Sequence, residues 1–347
     1  MPDFSDAAIT NLSVHFVGNK IQEESIRLSD RQLQLDEVIL ETLTRYFTKP
    51  FKDQPFYHLF HETDLSLNEV YVYAKSIFDD RLATDNFHLQ SIKLARHLYE
   101  CADHPNIKGG EFYVTYFDQC YVGDKMTSAI GLFKSENKDA YLKVFEENNE
   151  FEIRKEEGIN INKLDKGCII FNLQEEEGYK VMLIDNTNKQ QEAQYWKDHF
   201  IQAQPIKDNY YHTQNYMQLC KDFAMDAFPE AGKADKLALA NESATFFKET
   251  EAFDKTSFHE KVLQEPEIIE AFEDYKQNYV AQKEIDIVDE FDVAPQAVIK
   301  MKRVFKSVIK LDKNFHIYVH GNRDLIKKGY DEDSGYHFYQ VFFKEES

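Results

Sequence analysis

The chain has 347 residues and a mass of 40.9 kDa, with 41 Lys+Arg against 62 Asp+Glu and a net charge of −21. With 42% apolar and 30% charged residues, its composition is that of a folded chain rather than a disordered one, long enough for two domains. No apolar run approaches the ~20 residues that span a bilayer, the N-terminus lacks the basic-then-apolar pattern of a secretory signal, and Cys101, Cys120, Cys168 and Cys220 form no CxxC pair, so a cytoplasmic protein without disulfides or membrane contact is expected.

In chain order, AITNLSVHFVG and IQEESIRLS predict two strands over residues 8–28, turning at Gly18-Asn19. Leu35, Val38, Ile39, Leu43 and Phe47 recur at three- and four-residue steps, an amphipathic helix stopped at Lys49-Pro50. A second helix is expected from Ser66 to Phe78, with Ser66 as N-cap and Glu69 completing a capping box. A third runs from Phe87 to Cys101. Gly109-Gly110 then leads into EFYVTYFDQCYVG and KMTSAIGLFKS, the strongest β signal, expected to pair with the N-terminal strands. Further strands are predicted at 151–156, 167–173 and 179–186, the last two joined by a turn at Glu175-Glu176-Glu177-Gly178.

Beyond Asn186 the pattern turns helical: 194–200, 210–228, 233–250, 257–263, and 266–280 with Pro266 in its first turn. Three strands are expected to close the chain, at 304–311, 315–319 and 336–343, with a charged connection from His320 to Gly335. The expected fold class is α+β: a β-rich domain with flanking helices over 1–190, then a mainly helical domain over 191–347 closed by a small antiparallel sheet.

A charge of −21 disfavours diffuse binding to nucleic acid, so any DNA contact must be local. One segment qualifies. Residues 298–328 carry Lys300, Lys302, Arg303, Lys306, Lys310, Lys313, Arg323, Lys327 and Lys328 against Asp312 and Asp324, a local +7 that leaves −28 on the rest. At period two, Lys300, Lys302, Lys306 and Lys310 fall opposite Ile299, Met301, Phe305, Ile309 and Leu311, the pattern of a half-buried strand with a basic outer face; Lys302, Lys306 and Lys310 are also spaced at four, so a helix would align them too. Such a stripe suits a phosphate backbone, because each neutralised phosphate releases a counterion. A lysine-rich stripe also serves as a solvated edge that blocks aggregation. The preceding residues 260–292 hold eleven acids against three bases. They read either as a solvated helix face or as an acidic arm that competes with DNA for the stripe.

No P-loop, GxGxxG, GxSxG or HExxH is present, and no cofactor is expected. His58 with His61, the trio His316, His320 and His337, and His97, Cys101 and His104 lack a complete ligand set at a diagnostic spacing, so structural roles are expected for them. A metal-dependent nuclease would want clustered carboxylates and a lysine; Asp118, Asp124, Glu152 and Lys155 are the set available.

Several blocks carry a family resemblance. ITNLSVHFVGN…IRLSDRQLQLDEVILETLTRYFTKPF, IKGGEFYVTYFDQCYVGDKMTSAIGLFKS, LDKGCIIFN, YWKDHFIQ and KSVIKLDKNFHIYVHGN together resemble, in order and over nearly the whole length, the bacterial nucleoid-associated protein family that has a member in Escherichia. The resemblance implies a cytoplasmic, nucleoid-located, DNA-associated protein that is not an enzyme and is linked to type II topoisomerases. It supplies no site residues; the nine cations named above come from the charge pattern. The expected function is largely sequence-independent contact with double-stranded DNA, helped by homo-oligomerisation. Two rivals are an acidic, DNA-mimicking module recruited by a protein partner, and the nuclease.

Overall fold

The apolar runs at 110–135 become two central strands of a large antiparallel sheet. The structure, a computed structural model, describes residues 2–52, 54–80, 85–147, 150–187, 195–230, 232–302, 305, 308–311, 315–318 and 325–345, with the backbone alone for 233–234, 308–310, 316, 318 and 328. It divides into two compact units, Met1–Ile206 and Lys207–Ser347. The fold class is α+β, sheet-rich in the first unit and helical in the second.

Unit 1 runs β1 (Pro2–Asp3), β2 (Ala8–Val17), α1 (Glu37–Thr48), β3 (Phe56–Leu59), α2 (Glu69–Asp79), α3 (Asn86–Glu100), β4 (Gly110–Val122), β5 (Lys125–Ser135), β6 (Asp139–Glu147), β7 (Glu150–Gly158), β8 (Lys166–Phe171), β9 (Lys180–Asp185) and β10 (Ala203–Pro205). The main sheet has the order β1-β4-β5-β8-β9-β3-β10, with β2 also on β4. Every pairing is antiparallel.

Side chains alternate between the faces of the sheet, and both faces are covered. Phe112, Val114, Leu132 and Ile170 pack with Phe87, Leu94 and Leu98 of α3 and with Trp196. Tyr113, Phe133, Ile169 and Met182 pack with Tyr46 and Phe47 of α1 and with Phe51. Phe47 stacks on Phe133 at 4.1 Å between centroids. Burial on both faces is why β8 reads as a continuous apolar run rather than an alternating one. The β6–β7 hairpin stands apart from this sheet as a two-stranded ribbon. Leu142, Val144, Phe151 and Ile153 on it are all more than half exposed.

Unit 2 runs α4 (Asn209–Asp226), α5 (Lys233–Glu249), β11 (Ala252–Asp254), α6 (Lys255–Phe258), α7 (Pro266–Lys283), β12 (Glu290–Asp292), α8 (Pro295–Met301), β13 (Val308–Leu311), β14 (Phe315–Tyr318), β15 (Ile326–Asp331) and β16 (Tyr336–Val341). Its core is aromatic: Tyr216 lies 4.1 Å from Phe253, which stacks on Phe247 and Phe291. Phe258 and Phe272 complete it.

Several expectations need correction. Residues 21–28 form no strand. Asn19 closes the turn by accepting from Ile21 N–H at 2.8 Å, and only Arg27 bridges back to Phe16. The cap of α2 is Asn68, not Ser66: it accepts from Tyr71 N–H at 2.8 Å and donates to the Phe60 and Ile201 carbonyls. A buried amide with partners on three segments outcompetes an exposed serine. The change from strand to helix near residue 190 is not the boundary of the first unit. Trp196 and Phe200 are buried in its core, and β10 pairs with β3.

The basic segment does not open as a strand. Pro295 sits in the first turn of α8, and Ala297, Val298 and Met301 are its buried face. Three- and four-residue spacing against the unit 2 core overrides the period-two reading. The expected charged connection 320–335 contains β15, so among the described residues the three expected strands are replaced by two hairpins, β13–β14 and β15–β16.

Candidate functional site

Two places in the molecule concentrate cations. The first is the end of the main sheet where β5 stops and β8 starts. Lys134, the penultimate residue of β5, and Lys166, the first of β8, are opposite one another in the register, and both are 0% exposed. Lys134 Nζ donates to the Lys108 carbonyl at 2.7 Å, to Glu136 Oε1 at 3.1 Å and to the Tyr195 hydroxyl at 3.1 Å. Lys166 Nζ donates to both oxygens of Asp185 at 2.8 Å and to Thr187 Oγ1, and lies 3.7 Å from Glu136 Oε2. The Tyr195 hydroxyl donates to Glu136 Oε1 at 2.8 Å.

Glu136 thus lies between two buried ammonium groups. Burial pushes the pKa of Lys134 below its ordinary value, and Glu136 pulls the other way. Burial pushes the Tyr195 hydroxyl well up, and Glu136 adds to that. Asp165 pins the adjoining turn. Its Oδ2 accepts from the Glu136 and Asn137 N–H groups at 2.7 and 2.8 Å, and its Oδ1 accepts from Asn137 Nδ2 at 3.0 Å. Above this floor opens a cleft of ≈ 820 Å³ edged by Lys49, Lys108, Lys138 and Lys163.

Composition and spacing pass over this cluster, since each lysine looks like a strand terminus. The available signal is a lysine flanking an unbroken apolar strand with an acid beside it: GLFKSE and DKGCIIF.

The second place is the C-terminal segment. Lys300 lies on α8, with its ammonium 5.9 Å from the Tyr210 ring centroid, and Lys302 caps that helix and is exposed. Lys310 is on β13 opposite His316, and Lys327 and Lys328 are on β15. The exposed Lys327 lies 5.7 Å from the Phe342 ring. Arg303, Lys306, Lys313 and Arg323 lie outside the described residues. The described cations therefore stand on three elements, not on one strand face.

The acidic stretch before them is used partly within unit 2. Asp289 pairs with Lys255 at 3.2 Å and with Lys276, and Glu273 meets His259 at 3.1 Å. Among the described residues no group of three or more His, Cys, Asp or Glu could hold a metal ion. His97 is tied to Glu69 at 2.7 Å and to the Phe200 carbonyl at 3.0 Å. Asp118 is on β4, whereas Glu152 and Lys155 are on the detached β6–β7 ribbon, paired with Arg154 and Glu157.

A family model described as nucleoid-associated protein YejK matches residues 13–335. The chain belongs to that family. The match begins within β2 and ends at the β15–β16 turn, so it takes in most of both units of this nucleoid-associated family member. No curated protein matches the chain. Among the described residues of this family member, no helix is long and apolar enough to cross a membrane.

Proposed function

We propose that this chain acts at the nucleoid as a non-enzymatic DNA-binding protein that contacts the phosphate backbone through residues 300–328. The observation that carries the reading is the charge contrast: +7 across 298–328 against −28 on the remainder. The net charge of so acidic a chain opposes diffuse contact with DNA, so attraction through a basic segment is oriented. Seven of the nine cations are lysines, which fits contact with phosphates rather than base reading, where Arg, Asn and Gln forks dominate. Membership of a nucleoid-associated family supplies the cellular context. Self-association would add avidity by presenting two weak basic faces on one particle. A type II topoisomerase is the partner class that this location favours.

The test is fluorescence anisotropy of a labelled duplex of about 30 base pairs at several salt concentrations. Wild type is compared with Lys302→Gln, Lys306→Gln and Lys310→Gln combined. Each lost phosphate contact should lower the salt slope by about 1 and weaken binding on any sequence. Absence of binding by wild type at low salt rejects the reading. It would favour the acidic, DNA-mimicking module, whose partner would then be sought among type II topoisomerases.

A further inference from the structure

The cleft at the end of the main sheet has its acids engaged and its cations to spare. Three carboxylates line it. Glu136 is held by Lys134, Lys166 and the Tyr195 hydroxyl, and Asp165 by two backbone N–H groups and Asn137. Asp139 accepts from Asn160 Nδ2 at 2.7 Å, with Lys163 a loose 3.9 Å away. Lys138 is paired with Glu111 at 2.7 Å. Lys108, in contrast, donates to a neutral atom, Asn137 Oδ1, at 2.8 Å. Neither Lys108 nor Lys49 pairs with a carboxylate among the described residues.

The parts are held in place from below. The Lys108 carbonyl accepts from buried Lys134, which fixes the backbone that carries the Lys108 ammonium. Asn137 is clamped between Lys108 and Asp165, so the orientation of its amide is set. Such a floor lets a ligand bind without ordering the site first. The buried ion network itself adds little stability compared with an apolar filling; its use is to aim Lys108 and Asn137.

We propose that this cleft binds a phosphate ester of nucleotide size. Lys108 and Lys49 would meet the phosphoryl oxygens. The asparagine amides around the cleft, Asn106, Asn160 and Asn186 among them, both donate and accept, which suits sugar hydroxyls and base edges. The volume of ≈ 820 Å³ is that of a small-ligand site. The ligand could be a free nucleotide or the phosphorylated end of a strand. The site lies outside residues 300–328, so it stands or falls separately from the backbone contact proposed above.

The experiment is isothermal titration calorimetry of the full chain with deoxyadenosine 5′-monophosphate, with deoxyadenosine as the phosphate-free control. Wild type should bind the monophosphate and not the nucleoside. Lys108→Gln should weaken binding at least tenfold with an unchanged melting temperature, and Lys49→Gln should weaken it less. The combined Lys302→Gln, Lys306→Gln and Lys310→Gln variant should bind the monophosphate as wild type does. Competition by a decanucleotide carrying a 5′-phosphate, but not by the same strand ending in a hydroxyl, assigns the site to strand ends; competition by neither assigns it to free nucleotides. No heat with the monophosphate at millimolar concentration, or equal affinity of wild type and Lys108→Gln, overturns the proposal.

Discussion

His15 on β2 and His88 on α3 lie with their ring centroids 5.8 Å apart inside unit 1, and the backbone of Ser29 fixes the tautomer of both. The Ser29 N–H donates to His15 Nδ1 at 3.1 Å, so the proton of the neutral His15 ring sits on Nε2, facing Ser91 Oγ at 3.0 Å. The Ser29 carbonyl accepts from His88 Nε2 at 3.0 Å, leaving His88 Nδ1 to accept from Ser13 Oγ at 2.9 Å. A second proton on His15 would lose its acceptor site on Nδ1 and place a charge beside another ring.

This arrangement predicts acid sensitivity. Burial, with His88 beside it, pushes the pKa of His15 from 6.5 down to about 4. The unfolded chain therefore binds this proton more tightly than the folded one. The contribution is fully present above pH ~6.5 and is lost as pH falls towards 4; it amounts to about 3 kcal/mol at most. Urea unfolding at pH 7, 5.5 and 4.5, comparing wild type with His15→Gln, checks it. The stability gap between the two should shrink as pH falls, and a constant gap would refute the linkage.

Glu136→Gln should be far more damaging than its size suggests. It removes the anion between Lys134 and Lys166 and leaves two buried ammonium groups facing each other, a loss of about 3–5 kcal/mol. Adding Lys134→Met should recover part of that loss, because it removes the ammonium left without a carboxylate, while Lys166 keeps Asp185. Thermal melts of the two single variants and the double variant form the cycle. Additive losses would show that the three groups do not act as a unit.

Two glycines should behave oppositely. A Cβ on Gly110 would come within 2.0 Å of the Ser135 carbonyl oxygen, a backbone atom of the neighbouring strand. Gly110→Ala should cost about 2 kcal/mol or more. Gly123, at φ +65 in the β4–β5 turn, has open space around it. Gly123→Asn should stay within about 0.5 kcal/mol, since asparagine tolerates that conformation. Comparable melting temperatures for the two variants would contradict the close approach of β4 and β5.

The β6–β7 ribbon should open before the main sheet does. A two-stranded hairpin with both faces in water has little burial to hold it. Hydrogen exchange should find its ladder amides protected at least about a hundredfold less than those of β4 and β5. Equal protection would mean that something covers it in solution.

Elements with a strong local pattern of apolar or turn residues are the legible ones. Residues 87–101 were expected as a helix and are α3, and the runs flanking Asp124 are β4 and β5. The acidic turn before Gly178 joins β8 to β9 as its composition suggests. The misreadings share one cause. IQEESIRLS has the residues of a strand, but β2 offers it a single bridge. Lys300 and Lys302 alternate with apolar residues, yet Ala297, Val298 and Met301 face the unit 2 core from a helix. Periodicity says which face a segment can bury; only a partner decides whether it does.

The same distinction applies to function. Sequence alone determined the acidic background, the +7 segment and the resemblance to a nucleoid-associated family, because charge and local order are one-dimensional properties. Tertiary structure decided that Lys134 and Lys166 are buried against one glutamate, and that Lys108 and Asn137 are held above them. Residues 108, 134–137, 165–166, 185 and 195 are scattered along the chain. Pairing β5 with β8 and β8 with β9 closes the distances between most of them, and the burial of Tyr195 brings in the last. Long-range strand pairing of that kind leaves no local pattern in the sequence.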